Sequence, residues 1–114
     1  LRELRERNYY RAINEFQLAL IIAPGDSQAE YYLRKTREEL DKEIEAYSAN
    51  GKRDEDSLKY KSSIISYCAI TRLLHIKPDD LRYKEAVKQI KLLEAKLGIE
   101  DGETDCLKKQ RTSE

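Results

Sequence analysis

Apolar positions recur along this chain at steps of three and four, the period of an amphipathic helix. The first run contains Ala12, Ile13, Phe16, Ala19, Leu20 and Ala23 and predicts a helix over about Tyr9–Ile22. Leu18, Ile21 and Ile22 widen its stripe, so this helix is expected to be covered on more than one side. Leu1 and Leu4 continue the spacing upstream. Ser27-Gln28-Ala29-Glu30 reads as a capping box opening a second helix. Ala29, Leu33, Thr36, Leu40, Ile44 and Tyr47 form its stripe, and Asn50-Gly51 is its expected stop. A third helix is expected from Asp56 or Ser57 to Lys77. Its centre, Ile64 to Ile76, is apolar on most sides, which predicts burial between neighbours. A fourth follows Asp79-Asp80 and ends near Gly98, with Tyr83, Val87, Ile90, Leu93 and Leu97 on its stripe and Leu92 off it. Beyond Ile99 the sequence is polar and has no period. The pattern predicts an all-α domain over 1–98 with four main helices, then a polar tail or linker over 99–114.

Composition agrees and excludes several classes. Ala, Glu, Lys, Leu and Arg supply roughly half of the 114 residues, the mark of long helices. Charged residues are 39% of the chain, and mean hydropathy is −0.82, which leaves no stretch for membrane insertion. The 22 basic and 22 acidic residues are interleaved, so no basic stripe suggests nucleic acid. The chain contains no Met, which predicts a fragment or a processed form. Cys68 and Cys106 are isolated and form no CxxC pair. Cys68 is expected as a small buried hydrophobe and Cys106 as a free thiol in the tail. His75 is the only histidine, expected as a partly buried structural residue and not a metal ligand. No nucleophile–base–orienter set is visible, so neither an enzyme nor a cofactor is expected.

The two prolines lie in similar settings. Leu20-Ile21-Ile22-Ala23-Pro24-Gly25-Asp26 and Leu74-His75-Ile76-Lys77-Pro78-Asp79-Asp80 each end an apolar helix and open the next. This reads as an internal repeat. Ala12, Phe16, Ala19 and Pro24 fall at the spacing of a repeat signature, with Leu74, Ile76 and Pro78 preserving its ending in the second copy. These positions resemble the tetratricopeptide repeat family, paired helices of about 34 residues that stack into solenoids. The resemblance is good over 7–33 and degenerate over 58–93, where Ser66, Ile70 and Leu73 replace the small, aromatic and small positions. The first helix of the first repeat is cut to residues 1–6. The prolines lie 54 residues apart, longer than the family period, so the resemblance implies an elongated central hairpin projecting about 15 Å. Ile44, Tyr47, Leu58 and Tyr60 would line that projection.

The resemblance implies a fold of antiparallel helical hairpins and a non-catalytic protein–protein interaction module, a scaffold or adaptor segment of a larger protein or complex. It also implies a partner-binding groove at Gln28, Tyr31, Tyr32, Lys35, Glu38 and Glu39 on the second helix and Arg82, Glu85, Gln89 and Leu92 on the fourth. Tyr31 and Lys35 stand where chaperone-binding members carry a Lys and Asn carboxylate clamp, so that ligand is not expected. The expected partner is another protein or peptide, with self-association through exposed terminal helix faces as a further route. The alternative class is a coiled-coil-like dimerisation module, built on the 4–3 stripe from Ala29 to Tyr47.

Overall fold

The computed structural model describes residues 8–112, all of whose regular structure is helical. Leu1, Leu4 and the remnant of the first repeat helix lie outside the described residues. The helices are α1 (Tyr9–Ile22), α2 (Ser27–Asp56), α3 (Tyr60–Leu73), α4 (Leu81–Leu97) and α5 (Asp105–Thr112). The chain divides within α2 into two compact units, one through Glu43 and one from Ile44.

In the first unit, the Asn8 side chain caps α1 by accepting from the Arg11 N–H at 3.4 Å. The start of α2 is capped one residue earlier than the sequence suggested. Asp26, and not Ser27, accepts from the N–H groups of Gln28 at 3.0 Å and Ala29 at 3.1 Å. The predicted stripe of α2 is buried at Ala29, Thr36 and Leu40, and Tyr9 and Ala12 are buried on α1. The Tyr9 hydroxyl donates to the Glu43 carboxylate. Leu18, Ile21 and Ile22 are exposed, with Ile22 84% accessible, so α1 is covered on one side only. The stripe was read too wide because apolar side chains at a helix end need not be covered.

In the second unit, α3 packs along α4 and also meets α5. Ile64, Tyr67, Ala69, Ile70 and Leu74 form the core with Ala86, Ile90 and Leu93. The α2 helix does not stop at Asn50-Gly51; it continues to Asp56. Gly51 is instead a point of close approach. A Cβ there would lie 2.7 Å from Cζ and 2.8 Å from Cε2 of Tyr67. The Ser63 hydroxyl donates to the Gly51 carbonyl at 2.7 Å, which pins α3 to α2 at the same level. The true end of α2 places Leu58 at φ 63°, with Lys59 N–H bonded to Asp54 O at 2.8 Å and Leu58 N–H to Glu55 O at 3.0 Å. This is a Schellman cap carrying leucine where glycine is usual. The α2 helix has 30 residues and α3 only 14, with α3 beginning later and ending earlier than its pattern suggests. Leu58, expected to line the projection, is 72% accessible.

The segment after Ile99 is not a structureless tail. Gly98, at φ 72°, ends α4. The chain then turns back over Glu94, whose side chain is completely buried. That carboxylate accepts from Gly102 N–H at 2.9 Å, Thr104 N–H at 2.7 Å and the Thr104 hydroxyl. Burial raises the Glu94 pKa. The Thr104 hydroxyl, the two backbone N–H groups and Lys91 outweigh burial and hold it below the usual glutamate range. Thr104 then leads into α5, where Leu107 is buried.

Candidate functional site

A groove of about 680 Å³ lies in the second unit, within the size range of ligand-binding clefts. One wall comes from α3, through Ile64, Ile65, Cys68 and Ala69. Tyr47 of α2 lines it, and Thr104, Asp105 and Cys106 form the α5 side. Arg72 brings a positive charge to it, and His75 also lines it. Its walls are mainly apolar, and Ile65 is 71% accessible.

Helical periodicity explains the α3 wall. Cys68, Arg72 and His75 are separated by four and three residues and so share one face, which continues into the turn after Leu73. His75 is exposed, not partly buried, because α3 ends before reaching it. Its Nδ1 lies 3.0 Å from the Arg72 carbonyl. A carbonyl only accepts, so Nδ1 carries the proton in this bond.

Cys68 and Cys106 are disulfide-bonded, with Cα atoms 5.7 Å apart and 38 residues between them in sequence. Neither the buried free thiol nor the free tail thiol expected from sequence exists. Spacing alone did not reveal the pair because α5 went unrecognised. The available signal was that the cysteines number two, an even count.

The residues expected from the repeat resemblance fall in both units. In the first, Tyr32 stacks on Phe16 with ring centroids 5.8 Å apart, and Tyr31 meets Tyr32 edge-on at 5.1 Å. Tyr31 is exposed, with the Arg34 guanidinium 5.7 Å from its ring centroid. Arg34 also pairs with Glu38 at 4.0 Å and Lys35 with Glu39 at 3.8 Å. A smaller cleft of about 320 Å³ is lined by Phe16, Ala19, Gln28 and Tyr32 among others. In the second unit, Arg82 binds the Asp80 carboxylate through Nε at 3.1 Å and Nη2 at 3.0 Å. Those bonds, with the Arg82 backbone N–H, hold the Asp80 carboxyl below its usual range despite partial burial. Gln89 donates to Glu85 at 2.9 Å, and Leu92 is exposed. Of the signature residues, Ala12 and Leu74 are buried, Ala19 is half-buried, and Pro24, Ile76 and Pro78 lie in exposed turns.

Among the described residues, no group of three His, Cys, Asp or Glu side chains could hold a metal ion. No described helix is long and apolar enough to cross a membrane. The chain matches no protein-family model, no curated protein and no solved structure.

Proposed function

We propose that this chain is a non-catalytic protein–protein interaction module, a tetratricopeptide-like scaffold or adaptor segment, and that it receives an apolar partner segment in the groove on α3. The observation that carries this reading is an open, mainly apolar groove with Ile65 exposed on its wall. Burying one such side chain at an interface is worth about 1.5–3 kcal/mol. Tyr31, exposed beside Tyr32 and Arg34, offers a second contact surface of the composition favoured at interfaces. Leu18, Ile21 and Ile22 supply an apolar terminal face on α1 for stacking. The coiled-coil alternative is less well supported, because Thr36, Leu40 and Ile44 of its seam are already buried in the single chain.

The test is affinity capture followed by quantitative mass spectrometry, comparing the native chain with Ile65→Asp and with Tyr31→Ala/Lys35→Ala. Both variants alter side chains outside the buried core, so helicity should be retained. Loss of one recurrent partner with Ile65→Asp supports the groove. Loss only with the Tyr31 pair moves the interface to the first unit. Capture unaffected by either change refutes both surfaces.

A further inference from the structure

The Cys68–Cys106 bond cross-links α5 to α3, and both cysteines line the groove. We propose that this disulfide is a redox-active site, opened by a dithiol through thiol–disulfide exchange, and that its reduction releases α5 from the groove. The consequence for partner binding rests on the groove reading above; the exchange chemistry does not.

Access is the first argument. Both cysteines are half-buried and both line an open groove, so an incoming thiolate has a path to sulfur. The second argument is the leaving group. Cys68 shares its helix face and the groove with Arg72, and nearby positive charge favours a thiolate. Cys106 is the second residue of α5, near the positive end of that helix, but Asp105 beside it opposes this effect. Attack therefore falls on the Cys106 sulfur. A bond forms between it and the reductant sulfur, the Cys68–Cys106 bond breaks, and Cys68 leaves as the thiolate. The reductant's second thiol then displaces Cys106. Two electrons and two protons pass to the cysteines, and the reductant ends as its own disulfide.

The third argument is what holds α5 once the bond is gone. An eight-residue helix has little stability of its own. Among its described side chains Leu107 is buried, and Lys108 pairs with Glu103 at 2.8 Å, a surface contact within the same segment. The preceding turn is secured independently, because Glu94 binds Gly102 and Thr104 without help from the disulfide. Reduction should therefore free the chain from Asp105 onward and leave the turn before it in place, with Thr104 as the hinge.

Hydrogen exchange of the intact chain, with and without millimolar dithiothreitol and with thiols counted in parallel, tests this. On reduction, exchange over 105–112 should rise about tenfold or more while α3 and α4 change far less. Cys68→Ser/Cys106→Ser should show the fast α5 exchange without reductant. Arg72→Gln should slow reduction severalfold while leaving exchange of the oxidised chain unchanged. Four results would each overturn the proposal: free thiols before reductant is added, resistance of the native disulfide to the dithiol, unchanged α5 exchange after reduction, or opening of the whole second unit together. The exchange readout involves no partner, so the switch can succeed or fail separately from the groove.

Discussion

Gly51→Ala sets two effects of opposite sign against each other. Gly51 lies inside α2, five residues before the helix ends. Alanine in an exposed helix interior is favoured over glycine by about 1 kcal/mol. The added methyl would sit 2.7 Å from Cζ, 2.8 Å from Cε2 and 3.1 Å from Cε1 of Tyr67, where carbon atoms ordinarily keep about 3.5–4.0 Å. The ring is 3% accessible and rigid, so it has no solvent to retreat into. Overpacking of this kind costs about 1–3 kcal/mol. The hydrogen bond from Ser63 to the Gly51 carbonyl resists separation of the two helices, which places the cost in the upper part of that range. The expected net effect is a destabilisation of about 1 kcal/mol or more, a fall of several degrees in Tm for a chain of this size. Urea unfolding followed by circular dichroism measures it. The decisive control is the same substitution in a Tyr67→Leu background. With the ring gone the clash is relieved, and Gly51→Ala should become neutral or stabilising. If Gly51→Ala raises the urea midpoint with Tyr67 intact, the close-approach account is wrong.

Leu58→Gly should stabilise the chain by about 0.5–1 kcal/mol and raise Tm, because glycine accepts φ 63° without strain and the lost side chain is mostly in water. An unchanged or lowered Tm would show that Leu58 makes contacts worth more than that strain. Asp26→Ala should cost about 1 kcal/mol in urea unfolding, whereas Ser27→Ala should stay within about 0.5 kcal/mol; the reverse order would restore Ser27 as the cap. Glu94→Gln should cost about 1.5–3 kcal/mol, because its amide nitrogen brings a donor to a site lined with donors. The folded-state pKa of Glu94 is lowered, so its stabilisation is complete above the ordinary glutamate pKa and is lost as pH falls through the depressed value. On acidification the native chain should therefore lose stability more steeply than Glu94→Gln, and parallel pH profiles would contradict this.

Local signals placed α1 and α4 because both ends of each helix carry local punctuation: Asn8 and Pro24 for α1, Asp80 and Gly98 for α4. The errors arose where a local signal was overruled by packing. Gly51 resembles a stop, yet the Tyr67 ring uses its missing side chain and the helix continues. The real stop falls on Leu58, which no propensity rule would choose. Ser27 satisfies a capping box, but Asp26 is one residue nearer the turn and accepts from the Gln28 and Ala29 N–H groups. The stripe of α2 was legible because a long helix repeats its message, and Ala29, Thr36, Leu40 and Ile44 are all buried as that spacing requires.

The candidate groove was hidden for a different reason. Its α3 wall is legible in the sequence as an apolar helix, but a groove needs a second wall, and that wall includes the start of α5. A short polar helix carries almost no periodic signal. Its existence depends on two partners far back in sequence, Glu94 beneath the turn and Cys68 across the groove. On one helix, Cys68 reads as a small hydrophobe and Glu94 carries no signal that sets it apart from the other glutamates. Only the returning chain converts them into an anchor and a cross-link. The same dependence gives the groove its chemistry: the Cys68–Cys106 bond on this wall is also the bond that the proposed exchange would open.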